Sequence, residues 1–589
     1  MKYPAQLLRA SLSSSLARTA PSYLTEISAK KNRKLSNKKK KMEGVLSLLP
    51  RSHTQFVISR SNFSNAIKSD SLAISGVVSA SSVSAPHNSR RRYTESIETN
   101  HAPRLSSLTK RTMQNINEEI SPHRAVATVR LLRIEKGGAF AGLLNEKGKN
   151  SGKNEMDYVE RTLGFRTREL DDRDIRLVTE IVGGTVRWRR YLDHLILSLC
   201  NKERVFTDME PLLLQILRIG FFEIVKLNMP SYAVVDENVK LAKVALRPGA
   251  GNLVNGILRK LVLLKESDSL PLPKLEGDDR ARARALATIY SHPVWMVRRW
   301  IKYLGQEEAV RLMNWNNADP YFGIRVNTWK GYTRADIFSQ LEDLKVDYET
   351  SVLDDFFRIR TGMQAIMHAG LLEKGICSVQ DESAGFVVSV VDPQPGETIT
   401  DCCAAPGGKS LYMASRLRGQ GMVYAIDINE GRLRILRDAA KLQDLVGVIT
   451  AIHSDLRAYS IRNIVKSDKV LLDVPCSGLG VLSKRADLRW NRHLEDLKEL
   501  TRLQEELLDA AALLVKPGGV LVYSTCSIDP DENEGRVMSF LQRHPEFSVQ
   551  PINRLVPPDF ISEDGFYFSN PVKHCMDGAF AARLVRSLS

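Results

Sequence analysis

A doubly wound, parallel α/β domain behind an all-helical one is the fold the sequence predicts, on three observations. From Thr398 onward, short apolar strands alternate with helical patterns, the rhythm of a parallel sheet with crossover helices. Residues 121–265 instead carry apolar positions at three- and four-residue spacing, the mark of packed helices. The first hundred residues hold 17 Lys/Arg against 5 Asp/Glu and lack a clear hydrophobic period, which sets them apart from both.

Residues 1–112 are rich in Ser, Arg and Lys, and from Gly44 to Tyr93 the only acid is Asp70. This composition predicts a disordered organelle transit segment, plastid first, mitochondrion second, nucleolus third. The run Lys38-Lys39-Lys40-Lys41 just before Met42 leaves open a second start or a nuclear signal. Of the formal net charge of +16, +12 sits in residues 1–100. Basicity alone is therefore weak evidence for a nucleic-acid-binding body, and such a surface must come from local patches.

At 589 residues the chain should hold two to four domains. It has no apolar run of about 18 residues, so no membrane helix is expected. The seven cysteines, at 200, 377, 402, 403, 476, 526 and 575, form no C-x-x-C pair. That argues against a disulfide framework and a structural zinc site, and no metal is expected. Lone thiols suit a reducing compartment.

Ser121-Pro122 supplies an N-cap and an N1 proline before Ala125, Val126 and Val129. Leu177, Ile181 and Val182, then Leu192, Leu195 and Ile196, continue the helical spacing, and polar residues 144–156 read as a loop. Residues 288–390 mix helical segments with a strand at Phe322–Asn327, a small α+β domain. Within 391–589 the predicted strands are Thr398–Cys402, Met422–Asp427, Val448–His453, Lys469–Val474 and Val520–Ser524, with helices at 430–443 and 495–515. Phe547–Pro551 and Ala579–Leu584 suit an antiparallel edge.

The first of these strands runs into Asp401-Cys402-Cys403-Ala404-Ala405-Pro406-Gly407-Gly408-Lys409-Ser410, just before a helix at Leu411–Leu417. Glycines there let backbone pass close to a ligand, and the helix start offers free N–H donors. A P-loop would need glycine where Cys403 stands, so that reading fails. Asp427 ends the next strand, where an acid can accept from a ribose diol, and Asp455 follows the third. Together they point to a nucleoside cofactor crevice; glycine spacing alone leaves NAD open. Cys476 and Cys526 close strands four and five at the same rim. One strand-end cysteine reads as buried filler, whereas two, each flanked by polar turn residues, point to chemistry.

Cys403–Lys409, Asp473–Cys476 and Thr525-Cys526-Ser527, in this order, resemble the NOL1/NOP2/Sun family of RNA cytosine-5 methyltransferases. Arg325-Val326-Asn327, Gln380-Asp381, Gln504, Lys516–Gly519, Glu532-Asn533-Glu534 and Asp577-Gly578 extend the likeness over residues 288–586. Val182–Arg187, Ala233–Glu237 and Leu253–Arg259 resemble the NusB-like domain of the family's bacterial RsmB-like members, which act on small-subunit ribosomal RNA. The resemblance implies a Rossmann-like S-adenosylmethionine domain over 391–589, a NusB-like domain over 121–265 and a small RNA-binding domain over 288–390. It assigns Cys403, Ala404, Ala405, Pro406, Gly407, Gly408, Lys409, Asp427, Asp455 and Asp473 to the cofactor. Cys526 becomes the nucleophile toward cytosine carbon 6, Asp473 the partner of N3 and Cys476 the aid to product release. Ribosomal RNA is the expected partner of a monomer; transfer RNA and a non-catalytic assembly factor are the alternatives. Arg187, Arg189 and Arg190 read either as phosphate contacts or as a solvated helix face. Ala486 departs from the family, which often has proline there.

Overall fold

The computed structural model describes residues 120–137, 151–200, 202–462 and 466–588. Segment 1–112, with the organelle address read into it, lies outside them, as do residues 144–150 of the expected loop.

Helices Pro122–Gly137, Asp172–Arg187, Arg189–Leu199, Pro211–Val225, Ser231–Ala245 and Pro248–Glu266 share one core. Pro211–Val225 is its axis, buried at nearly every position from Leu213 to Ile224, because a helix apolar all round belongs inside. Arg218 and Glu223 on that helix are answered there: Arg218 donates to Asp193 at 2.7 and 2.8 Å and to Glu135 at 2.8 Å, and Glu223 accepts from Arg124 at 2.9 Å. Residues 151–156, read as loop, instead begin helix Ser151–Leu163. Met156, Val159 and Leu163 form its buried stripe, which polar neighbours mask in the sequence.

The middle region carries β1 (Phe322–Val326), β2 (Tyr348–Thr350), β3 (Phe356–Ile359) and β4 (Cys377–Val379), an antiparallel sheet ordered β2-β3-β1-β4. Of these, only β1 was readable from sequence. The α/β domain follows as β5 (Thr398–Cys402), β6 (Met422–Asp427), β7 (Ile449–His453), β8 (Ser467–Asp473), β9 (Val515–Thr525), β10 (Phe547–Val549), β11 (Tyr567–Ser569) and β12 (Ala579–Arg586). Their order is β10-β12-β9-β8-β5-β6-β7, with β11 paired to β12. Strands β5 to β9 are parallel and β12 runs antiparallel to β9. The predicted fold class is borne out: a doubly wound α/β sheet with an antiparallel flank, preceded by a helical bundle.

One loop joins the two. After Pro475-Cys476 the chain reaches Arg489, fully buried, which donates to the carbonyls of Arg187 (3.2 Å), Ser291 (3.2 Å) and Asn316 (2.6 Å) and to Asn317 Oδ1 (2.8 Å). These acceptors lie at or just beyond the C-terminal ends of three helices, where partial negative charge gathers and a cation is favoured. Beside it the Trp490 indole donates to Val186 O at 2.7 Å, and Ala486 packs into the helical core.

Candidate active site

The strand order reverses at β5, which lies between β6 and β8, and such a reversal opens a crevice at the carboxyl ends of the strands. The turn leaving β5 is shaped by backbone: Cys403 has φ 62° and Gly407 φ 110°. A Cβ on Gly407 would come 2.6 Å from Leu436 Cγ, so only glycine fits, and helix Gly408–Arg416 can start at the crevice with free N–H groups. Asp427, closing β6, accepts from the N–H of Ala405 at 3.0 Å and of Asn429 at 2.8 Å. Its carboxylate is thereby fixed against the turn. Asp455 is near enough to join burial, Asp427, Asp473 and Asp401 in raising the Cys403 thiol. Its own carboxylate is held by Arg457 at 3.1 and 2.7 Å, the main reason its pKa lies below the usual carboxylate range.

Between the crevice and the cysteines stands a charged pair. Lys409, which burial alone would discharge, is kept charged by Asp473, to whose Oδ2 its Nζ donates a hydrogen bond at 2.7 Å. Ser524 donates to the other oxygen at 2.8 Å. Asp473 ends β8 and Ser524 faces it across the parallel pairing with β9, so the next residues of both strands converge. Cys476 Sγ and Cys526 Sγ lie 3.1 Å apart. Contact with Cys526, burial and the nearby Glu532 carboxylate all push the Cys476 thiol well above its ordinary range. Cys526 is half-buried, and its carbonyl accepts from Gly480 N–H at 3.0 Å. A side chain on Gly480 would strike that carbonyl and Gly578 O.

The structure thus gathers Cys403–Lys409, Asp427, Asp473, Cys476 and Cys526, and turns Asp455 toward Arg457. It also turns the helical arginines inward: Arg187 donates to Ser483 O (2.9 Å), Arg189 to Glu135 (2.6 Å) and Arg190 to Thr288 (3.2 Å). Part of their hydrogen-bonding capacity is thus spent within the protein, while all three side chains stay partly exposed.

Several groups at this rim carried no assigned role in the sequence reading. Lys484 bridges Asp381 and Asp577, two acids far apart in sequence that only the fold unites. Asp401 is pushed to about 7, chiefly by burial; Ser410 donates to one of its oxygens at 2.5 Å and the other has no partner. Gln380 Oε1 accepts from Arg325 at 2.7 Å, while its Nε2 is buried, unpartnered and 3.6 Å from where a Gly408 Cβ would stand. A fixed carboxylate on one side, and free helix N–H groups with an unsatisfied amide donor on the other, fit a nucleoside bearing an amino-acid tail, as in S-adenosylmethionine. Among the described residues no cluster of His, Cys, Asp or Glu could hold a metal ion, and no helix is long and apolar enough to cross a membrane.

Comparison with known proteins gives the same outline. The 16S rRNA methyltransferase RsmB/F family profile matches residues 388–585, the NusB family profile 139–262 and the RsmF/B-like ferredoxin-like domain 292–364. The probable ribosomal RNA small subunit methyltransferase B of Bacillus subtilis is 30% identical over 75% of this chain and 97% of its own. Its namesake from Synechocystis is 34% identical over 71% and 92%. The crystal structure of PH0851 superposes with TM-score 0.63 at 26% identity, covering 80% of this chain and 99% of that one.

Proposed function

The chain belongs to the RsmB/F family of small-subunit ribosomal RNA methyltransferases, S-adenosylmethionine-dependent enzymes; from that premise we propose that it methylates carbon 5 of a cytosine in small-subunit ribosomal RNA, with Cys526 as covalent nucleophile. The observation that carries this reading is the pair of thiols 3.1 Å apart beside the Lys409–Asp473 pair.

Carbon 5 of cytosine is a poor nucleophile until carbon 6 is saturated. Attack by the Cys526 thiolate forms a C6–S bond and moves the 5,6 π pair onto carbon 5 and the N3–C4 system. A proton delivered toward N3 draws that density, and the Lys409–Asp473 pair holds one for it. When bound, S-adenosylmethionine supplies an electrophilic methyl group on a sulfonium centre. The methylated carbon 5 must then give its proton to a base, and the C6–S electron pair must return to sulfur. Cys476, kept protonated, can donate its S–H to the departing Cys526 sulfur, which aids release. Carbon 6 is shielded in a duplex, so the base must be single-stranded or flipped out. The helical and middle domains would grip the RNA around it, and the basic segment before them would carry the enzyme to a plastid.

The test is transfer of labelled methyl to ribosomal RNA. Wild type should label cytosine, Cys526→Ala should label none, and Cys476→Ala should accumulate a protein–RNA adduct. Full activity in Cys526→Ala would refute the covalent role.

A further inference from the structure

Glu532 lies behind both cysteines and touches neither. It is fully buried, and its four donors are all neutral. Oε1 accepts from Ser477 N–H at 2.8 Å and from Gln504 Nε2 at 3.0 Å. Oε2 accepts from the hydroxyls of Ser477 and of Ser527, the latter at 2.6 Å. Ser477 follows Cys476 and Ser527 follows Cys526. Gln504 Nε2 also donates to Pro475 O, just before Cys476, at 3.0 Å. Glu532 is itself held, since the Tyr523 hydroxyl from β9 donates to its carbonyl at 2.6 Å.

Resting on the thiol roles given above, we propose that Glu532 is the positioning residue of this site, one carboxylate that sets the spacing of Cys476 and Cys526. Two strand-end loops have no covalent reason to keep their side chains in contact. A carboxylate with four acceptor sites can hold the residue after each cysteine at once, and burial removes competing water. Lines of hydrogen bonds from Pro475, Ser477 and Ser527 then converge within one side chain. The same negative charge helps to keep Cys476 protonated, the state in which it can give its S–H to a departing sulfur. The residues supplying these contacts sit on two cysteine loops, a helix and the segment after β9, so no short stretch of sequence displays the clamp.

The experiment measures spacing apart from catalysis. Dibromobimane, which fluoresces when it bridges two thiols a few ångströms apart, is applied to the full chain, with Cys476→Ser as background. Glu532→Ala, the double variant Ser477→Ala/Ser527→Ala, and Glu532→Gln are compared with wild type. Bridging should slow by about tenfold or more in the first two and be largely kept by the glutamine. With RNA, kcat should fall ~100-fold in those two variants, with KM for RNA within about threefold. If Glu532→Ala does not fold, as judged by lost S-adenosylmethionine binding, the serine pair decides. Unchanged bridging in that pair overturns the proposal, as does lost activity with bridging intact. Slowed bridging in a chain whose wild type methylates no RNA would uphold the clamp and refute the functional reading instead.

Discussion

In the helical bundle, buried charges meet opposite charges: Arg124 with Glu223, Arg218 with Asp193 and Glu135, Arg130 with Glu155. At the rim of the eight-stranded sheet, buried polar groups keep unspent capacity. Asp401 Oδ1 and Gln380 Nε2 have no partner, and the Lys409–Asp473 pair stands beside the thiols. A closed network yields rigidity and little else. An open one costs stability and leaves valences for a ligand. The bundle has orphaned atoms of its own, His123 Nε2, Thr185 Oγ1, Arg187 Nε and Asn238 Oδ1, so the contrast lies in the ion pairs and in where the open valences stand: those at the rim border the turn after β5.

Three substitutions can break that contrast. The largest effect belongs to Lys409→Met, which should lower methyl transfer about a thousandfold while leaving the unfolding temperature within a few degrees. Single-turnover label transfer and a thermal melt measure both; a large stability loss with little rate loss would place Lys409 among the structural charges. Arg218→Met comes next. It strands Asp193 and Glu135 without their cation and should cost about 3 kcal/mol in urea unfolding, with kcat at saturating RNA unchanged. A loss below about 1 kcal/mol would show that the bundle does not depend on its closed network. The smallest effect is that of Asp401→Asn. The folded state raises this acid to about 7, so folding favours its protonated form. Its benefit is full below the unfolded carboxylate value of about 4 and fades as pH rises through 7. The amide should therefore raise the melting temperature at pH 8 and leave it nearly unchanged at pH 4. No pH dependence in that difference would mean that Asp401 is not a strained acid.

Much of this was legible because several parallel strands carry short apolar runs with turn residues after them, as in Lys469–Val474 and Val520–Ser524. What was missed lacks such signals. β2 and β4 have three residues each and are partly exposed, so neither burial nor period marks them. Helix Ser151–Leu163 hides its three-residue stripe among Lys, Asn and Glu. For Arg187, Arg189 and Arg190 the sequence offers a phosphate contact or a solvated face, and cannot show that Ser483, Glu135 and Thr288, distant in sequence, take up part of their donors. The turn after β5, with its glycines and the acid Asp427 at fixed spacing, was readable; the hydrogen bonds gathered on Glu532 and the Lys484 bridge are products of folding alone.

Strand β12 lies between β9 and β10 although it comes after both. Phe580 pairs with Thr525, the neighbour of Cys526. On the ribosome, then, the strand that leads into Cys526 emerges with one flank unpaired, and waits some fifty residues for the segment that covers it. Long-range pairing of this kind is slow to form and exposed while it waits. A chain stopped before Ala579 would therefore leave that flank of β9, beside Cys526, without its neighbouring strand.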